Sequence, residues 1–502
     1  MIRRPMTAPP RMTAAATATV IRRIPAGIRQ DNKLPIGSNH TMQTISYDMI
    51  RRLTGAELLG PAEGTVDKVL TDSRKAAEGG LFVALKGENF DGNDFAEKAL
   101  LSGCQAALCS KRPDPIPEGK TVFLVPDSLK AYGSLARGYK RQLQTGKYIP
   151  VVGVTGSVGK TSCKDMIAAA LSGKFHTLKT QGNLNNIFGV PMTLLTMDDT
   201  TQAAVIEMGM GHAGEIDFMA SLAQPDIGVI TNVGTAHIEN LGSREGILKA
   251  KLEIVPHIKE DGLLLACGDD ERLYAQKGRL PRKTEYFGFG AQNDCRILLS
   301  EQQSRGLHVV ISYRGQTFDM TLATIGQHMA LNAAPAVMAA VNLGLSKEQI
   351  LKGMASYQPT PHRLALIPGD KWTVIDDTYN ANPVSMKSAL TTLSQMAGGR
   401  RIAILGDMFE LGDYSQQGHE EVGAFAMSLA SVDGLICVGE RSQAMYQAAL
   451  PLAKGRPVLY FKTVDDLEEN LLSILKPDDI ILLKASHAMG FTPLCRWLQK
   501  EV

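Results

Sequence analysis

The segment YIPVVGVTGSVGKTSCKD, residues 148–165, constrains the chain more than any other stretch. An apolar run ends at Val154, glycines stand at Gly153, Gly156 and Gly159, and Lys160-Thr161-Ser162 open an amphipathic stretch closed by Gly173. That is the order strand, glycine-rich turn, helix. Such a turn aims successive backbone N–H groups and a helix N-terminus at one point, which suits a polyphosphate. The motif predicts that Lys160 reaches the β- and γ-phosphates and that the Thr161 hydroxyl ligates magnesium. The strict pattern wants glycine at 154, where Val154 stands. A glycine-rich turn without phosphate is the alternative, and the Gly-Lys-Thr at the strand–helix junction outweighs it.

A chain of 502 residues has room for roughly two to four domains. Hydrophobic residues at 44% and charged residues at 21% fit an ordinary soluble protein. A net charge of +2 gives no broad electrostatic case for nucleic acid or a membrane surface, and no apolar run is long enough for a membrane span. The seven cysteines, at 104, 109, 163, 267, 295, 437 and 495, are odd in number and scattered. They read as buried small hydrophobes in a reducing, cytoplasmic setting. Residues 1–41 stand apart, with Arg3, Arg4, Arg11, Arg22, Arg23, Arg29 and Lys33 against Asp31 alone. The short apolar patch 14–21 runs into Arg22-Arg23, which argues against a secretory signal. A transit peptide stays open. A disordered leader, or a misassigned start with the true one at Met42, is preferred.

Alternating strand-like and helix-like segments predict an α/β chain with a mostly parallel sheet content. Residues 42–147 read as a small substrate-handling domain, in which Ser73 and Arg74 are either anion contacts or an ordinary cap and salt bridge. Residues 148–325 read as a nucleotide-handling domain. There Asn183, Asn185 and Asn186 cluster in TQGNLNNIFGVP, either as a site or as a plain loop. AAVIEMGMG ends a hydrophobic strand in Glu207, placed to hold magnesium directly or through water. The next strand delivers His237 in the same way, at the kind of strand end where sites form. Lys251 sits on an amphipathic helix, and by its residues alone it is an ordinary helix lysine. Residues 326–502 read as a third α/β domain. His328 and Asn332 lie one helical turn apart, and Asp376, Asp377, Tyr379, Asn380 and Asn382 lie on and beyond a strand end.

Together VTGSVGKTS, TQGNLNNIFGVP, IEMGM, TNVGTAHIENLGS, AKLE, DDTYNANPVS and LGDMFELG stand in the order found in the Mur ligases. From about residue 43 to its end the chain resembles that family of ATP-dependent, ADP-forming amide ligases of bacterial cell-wall synthesis. The resemblance implies three domains: one for a UDP-sugar peptide, a central P-loop ATPase, and a C-terminal Rossmann-like one for the incoming amino component. The DDTYNANPVS and LGDMFELG pair points to ligation of D-alanyl-D-alanine to a UDP-N-acetylmuramoyl tripeptide through an acyl phosphate. Two magnesium ions are implied, Thr161 and Glu207 serving one, and His237 with an N-carbamoylated Lys251 serving the other. Lys160, His237 and Lys251 are the expected catalytic residues. Gly156, Gly159, Lys160, Thr161, Ser162, His328, Asn332, Arg363 and Asp376 are expected at ATP. Asn183, Asn185 and Asn186 should line the substrate–phosphate region, and Tyr379, Asn380, Asn382, Asp407, Lys484 and Ser486 the dipeptide side. Ser73 and Arg74 should touch the UDP-sugar. A monomer is expected, with no nucleic acid partner and no membrane insertion.

Several positions depart from the family pattern. Asn93 stands for histidine, Cys267-Gly268 for Asn-Ala, Ala485 for glycine and His487 for arginine. The last bears on recognition of the incoming carboxylate. The competing expectations are another amide ligase of the family, third-residue-adding or folylpolyglutamate-like, and a non-catalytic nucleotide switch.

Overall fold

The computed structural model describes residues 42–501 apart from 88 and 304–305, and these described residues belong to one compact unit. The basic leader, and every expectation placed on 1–41, lies outside the described residues.

Parallel strands covered on both faces read as unbroken apolar runs, and such runs build the middle of the chain. VVGVT, AAVIE, IGVI and LLLAC are buried along their whole length as Val151–Thr155, Ala203–Glu207, Ile227–Ile230 and Leu263–Cys267. They are the centre of a nine-stranded sheet. On one flank lies Thr177–Lys179; on the other Lys283–Gly288 and Cys295–Gln303 continue in parallel. Gly306–Tyr313 and Gln316–Leu322 then close that edge antiparallel. The burial pattern changes with them: Leu307, Val309, Ile311 and Tyr313 are buried and the residues between are half-buried, as one covered face requires.

Val151–Thr155 has Ala203–Glu207 on one side and Ile227–Ile230 on the other. The sheet therefore reverses its direction of growth at this strand, and open α/β sheets place sites at the carboxyl ends of such strands. The register sets Glu207 opposite Val154 and Ile230 opposite Thr155. The glycine-rich turn is thus flanked by Glu207 and by Thr231.

Before this sheet, a five-stranded one runs in the order Glu57–Leu59, Thr121–Leu124, Ala106–Cys109, Gly80–Val83, Lys68–Leu70. Its helix Ser128–Leu143 starts at Asp127, whose carboxylate accepts from Lys130 N at 3.0 Å. That helix packs on Gly189–Leu195 and Glu215–Ala223 of the central part. Lys140 is buried in the contact and donates to Ala223 O at 2.5 Å, and burial pushes its ammonium down to about 7. After the central sheet, a six-stranded one follows the order Ala365–Pro368, Thr373–Asp376, Ile480–Lys484, Arg401–Gly406, Gly434–Val438, Val458–Phe461, parallel except at the first strand. Separate apolar clusters cover its two faces. The helices Ala330–Asn342 and Lys347–Ala355, which the sequence reading groups with this third region, pack on the helix Lys160–Ser172. Alanines at 333, 334, 336, 339 and 340 are fully buried and keep that approach close. All seven cysteines are buried and unpaired, and no described helix is long and apolar enough to cross a membrane.

Candidate active site

The turn ahead of Lys160–Ser172 takes its shape from two glycines and an asparagine. Gly156 and Gly159 have φ of 149° and 84°. A Cβ on them would lie 1.8 Å from Thr231 Oγ1 and 2.6 Å from Asn332 Oδ1, so no side chain fits at either position. Asn232 then clamps the turn. Its carbonyl accepts from Ser157 N at 3.1 Å and its side-chain oxygen from Val158 N at 3.0 Å. Asn232 Nδ2 and Thr231 Oγ1 both donate to Val158 O, at 2.9 and 2.6 Å. The clamp is itself held, since Val233 N donates to Asp270 Oδ2 at 2.7 Å. The next four amides, Gly159 to Ser162, find no acceptor among the described residues. They are the free donors that an anion at a helix N-terminus uses. Lys160 Nζ folds back onto Gly156 O at 2.8 Å and Ser157 O at 3.3 Å, and burial lowers its ammonium pKa.

Beside the turn lies a carboxylate with one oxygen to spare. Glu207 Oε1 accepts from Thr161 Oγ1 at 3.0 Å and Asn185 Nδ2 at 2.7 Å. Glu207 Oε2 is buried with no hydrogen-bond partner, and Lys164 Nζ stands 3.7 Å away. An orphaned carboxylate oxygen next to a hydroxyl fits a hard divalent cation, whose ligands are oxygens. His237, at φ 62°, precedes the short helix Ile238–Leu241, and its Nδ1 lies 2.8 Å from Glu410 Oε2 of the third region. Lys251 is 1% exposed, and its ammonium has no partner among the described residues. Burial, with Lys160 nearby, pushes its pKa well below the usual lysine value, which favours the neutral amine. Among the described residues no three His, Cys, Asp or Glu side chains converge as a ready-made metal cluster.

Two adjoining cavities, of about 370 and 650 Å³, open at this strand end. They share Ser157, Lys160, Thr161 and His237 from the central part and Arg363, Tyr379, Asn380 and Asn382 from beyond it. Asn185, Asn186, Glu207, His328, Asn332 and Lys484 line the smaller one, and Asn183, Ser486 and His487 the larger. Burial pushes the His328 imidazole down to about 4, so it is neutral near pH 7. The Arg363 guanidinium lies 3.8 Å from the Tyr379 ring centroid, and its buried Nε lacks a partner. Lys484 Nζ donates to Asp377 Oδ2 at 2.6 Å and to Asn380 O at 2.8 Å. Asn382 also caps its helix, Pro383–Gln395, by accepting from Ser385 N at 2.9 Å.

Neither Gly156 nor Lys251 lines either cavity, and four further residues singled out in the sequence stand away from them. Ser73 and Arg74 lie on the first sheet's side, where the 85% exposed Arg74 side chain pairs with Asp72 at 2.9 Å. Asp376 turns inward, to His362 Nδ1 at 2.7 Å and Thr378 Oγ1 at 2.8 Å, and its neighbour Asp377 lines the smaller cavity instead. Asp407 accepts from Ser442 N and Oγ, both at 2.7 Å, and so anchors the helix Ser442–Ala449. Asn232, His362 and Glu410 are not named in the sequence reading, which sets Asp377 at the strand end without giving it a role. Asn232 carried a signal, because it stands directly after a buried strand beside the glycine-rich turn. Glu410 carried none before the third region was placed against His237.

A glycine-rich phosphate turn at the switch point of a parallel sheet, facing a second α/β layer across a shared cleft, defines a nucleotide-using transferase or ligase assembled from several parts. Sequence-family comparison makes the class specific. Residues 65–140 match the Mur ligase family catalytic domain, 154–340 the Mur ligase middle domain, and 362–487 the Mur ligase glutamate ligase domain. The chain belongs to the Mur ligase family. Among its relatives, the UDP-N-acetylmuramoyl-tripeptide–D-alanyl-D-alanine ligase of Bacillus subtilis is 39% identical over 423 residues, 84% of this chain and 90% of that one. The enzyme of the same name from Escherichia coli is 37% identical over 465 residues, covering 92% and 99%. A crystal structure of MurF from Acinetobacter baumannii superposes with a TM-score of 0.84 at 31% identity, over 92% of this chain and all of that one.

Proposed function

We propose that this protein is the ATP-dependent, ADP-forming ligase that joins D-alanyl-D-alanine to a UDP-N-acetylmuramoyl tripeptide, making the muramoyl pentapeptide of peptidoglycan synthesis. One observation carries the reading: the two cavities share a wall that sets Lys160 and Thr161 against Arg363, Asn380 and Asn382. A triphosphate held on the first set and an amine delivered along the second meet in one enclosed space.

A carboxylate resists amines because its leaving group is oxide, so it is first activated. In the first step the tripeptide carboxylate oxygen attacks the γ-phosphorus, an O–P bond forms, and the bond to ADP breaks. In the second step the dipeptide amine attacks the acyl carbon, the C–O bond to phosphate breaks, and the nitrogen loses its proton. The free amides of Gly159 to Ser162 and the Lys160 ammonium offset charge on the phosphates during transfer. His328 and Asn332 border the nucleotide end, and Arg363 with its unpaired Nε faces the reacting groups. Asn183, Asn185 and Asn186 border the acyl side, while Tyr379, Asn380, Asn382, Lys484, Ser486 and His487 border the dipeptide side. Thr161 and Glu207 would hold a magnesium ion, which supplies charge neutralisation at the phosphates. For a second ion the reading adds a carbamate on Lys251, which would serve it with His237. A buried, unpaired and neutral amine is the form that adds carbon dioxide, and the carbamate would be the missing anion.

The domain division belongs to the same proposal: a UDP-substrate part from 42 to 147, an ATPase part from 148, and an amino-substrate part to the C-terminus. The packing of Ala330–Asn342 and Lys347–Ala355 supports carrying the ATPase part through Tyr357.

The test is release of ADP from ATP with the lysine or the diaminopimelate form of the UDP-muramoyl tripeptide, with and without D-alanyl-D-alanine. Sustained turnover needs all three substrates, and mass spectrometry of the product shows the added dipeptide. Turnover with folyl-glutamate or with free amino acids in place of the dipeptide would favour the other ligases of the family instead.

A further inference from the structure

Between the helix Lys347–Ala355 and the third sheet runs a strap, residues 358–364, that carries Arg363 into both cavities. Arg363 sits between His362 at φ 64° and Leu364 at φ 51°, conformations that side-chain-bearing residues adopt rarely. Where its guanidinium points is therefore fixed by how the strap is held at each end. On the far side the hold is dense. His362 meets Asp376 at 2.7 Å, His362 O accepts from Tyr379 N at 3.1 Å, and Leu364 N donates to Asp377 Oδ1 at 3.2 Å.

On the near side there is a single tie. Thr360 Oγ1 donates to Asp165 Oδ2, and among the described residues this is the only hydrogen bond from 358–364 to the central part. Asp165 lies on the helix Lys160–Ser172 one turn beyond Thr161, and it is 5% exposed. Its other oxygen is fixed by Lys179 Nζ at 2.7 Å and Lys164 Nζ at 3.3 Å. Lys164 in turn donates to Thr180 O at 2.8 Å and stands 3.7 Å from the unpaired oxygen of Glu207. Burial alone would raise the Asp165 pKa, but the two lysines outweigh it and keep an anion there. An anion held so firmly is a fixed point for its neighbour.

We propose that Asp165 is a positioning residue for the ligation: through Thr360 it fixes the strap to the phosphate-loop helix and so registers Arg363 against groups bound at Lys160 and Thr161. The inference rests on the ligase reading above. It makes the helix that holds the phosphates also the reference for a cation arriving from the other side of the cleft.

Removing Asp165 would take the carboxylate partner from the buried Lys164 and the half-buried Lys179, so the test works from the threonine. Thr360→Val keeps the shape and loses the hydroxyl, and Thr360→Ser keeps the hydroxyl. Wild-type turnover with ATP, UDP-muramoyl tripeptide and D-alanyl-D-alanine tests the ligase reading by itself. With that in hand, Thr360→Val should lower kcat about tenfold and Thr360→Ser less than twofold. In an Arg363→Ala background Thr360→Val should have almost no further effect, because the residue through which it acts is gone. In the free protein, amide exchange over 358–364 should be faster in Thr360→Val and unchanged in Thr360→Ser. The proposal fails if the kcat loss is the same in both backgrounds, if valine and serine behave alike, or if exchange of the strap does not respond.

Discussion

At the scale of single residues, Lys251 is where sequence and structure answer different questions. Its neighbours in AKLE mark only an amphipathic helix, whereas the fold buries it to 1% exposure near Lys160, with no acceptor among the described residues. If it carries a carbamate, Lys251→Ala should lower turnover by about 100-fold or more, since charge stabilisation by a metal is worth several kcal/mol. Loss of the stem's packing should cost about 2–3 kcal/mol, visible as a lower melting temperature. Formate or acetate at constant ionic strength should then restore part of the rate by supplying an oxygen anion. A mutant that turns over normally would return Lys251 to a packing role. His328 allows a pH test with a definite sign. Its folded pKa is near 4 against 6.5 for a free histidine, so between those values the unfolded chain binds the extra proton. Its effect is absent above about pH 6.5, and stability is lost progressively as pH falls towards 4. His328→Gln should flatten that fall in a melting-temperature series, and an identical slope would count against a buried neutral imidazole.

At the scale of elements, the sequence was most legible where one rule acted alone. Unbroken apolar runs gave the parallel strands, and the glycines with Lys160-Thr161 gave the turn, because both signals are local. Asp376 and Asp377 show where this stops. Successive side chains at a strand end point to opposite sides, so which of two adjacent aspartates faces the cavity depends on register with Ile480–Lys484, a pairing across more than a hundred residues. Asp407 met a different rule, as an inward carboxylate was needed to anchor Ser442–Ala449. The helix Ala330–Asn342 is almost uniformly apolar and small, so its pattern could not say which sheet it covers. The turn itself gives the prediction at this scale. Asn232→Ala removes the side-chain bonds to Val158 N and O; Thr231 still serves the carbonyl, and the half-buried Val158 N is left without a partner, at about 1–3 kcal/mol. Much of that loss should fall on the ATP-binding conformation, so the dissociation constant measured by calorimetry should rise about tenfold while the far-ultraviolet spectrum stays unchanged. An unaltered constant would show that the loop holds its shape without the clamp.

At the scale of the whole molecule, the cleft is enclosed by surfaces from the central and third sheets, and few contacts cross it at the site. His237 with Glu410 is one, at 2.8 Å, and their side chains are 25% and 59% exposed. A pair that wet contributes at most about 1 kcal/mol, a bias of about fivefold in a two-state equilibrium. The strap tie from Thr360 to Asp165 adds one charge-assisted hydrogen bond. On contacts of this strength alone, open and enclosed arrangements would lie close in free energy, so substrates that touch both walls should decide between them. On the proposed function, ATP at Lys160 and Thr161 would reach Arg363 and the acyl substrate would add contacts of its own, so both together should favour the enclosed arrangement by more than either alone. Small-angle scattering should therefore give a larger radius of gyration for the free protein than for the protein with a non-hydrolysable ATP analogue and UDP-muramoyl tripeptide. Glu410→Gln should enlarge the free form slightly and leave the doubly liganded form unchanged, because the ligands then supply the bias. Equal radii in all of these states would mean that the cleft is held shut by the rest of the interface, and that turnover proceeds without domain closure.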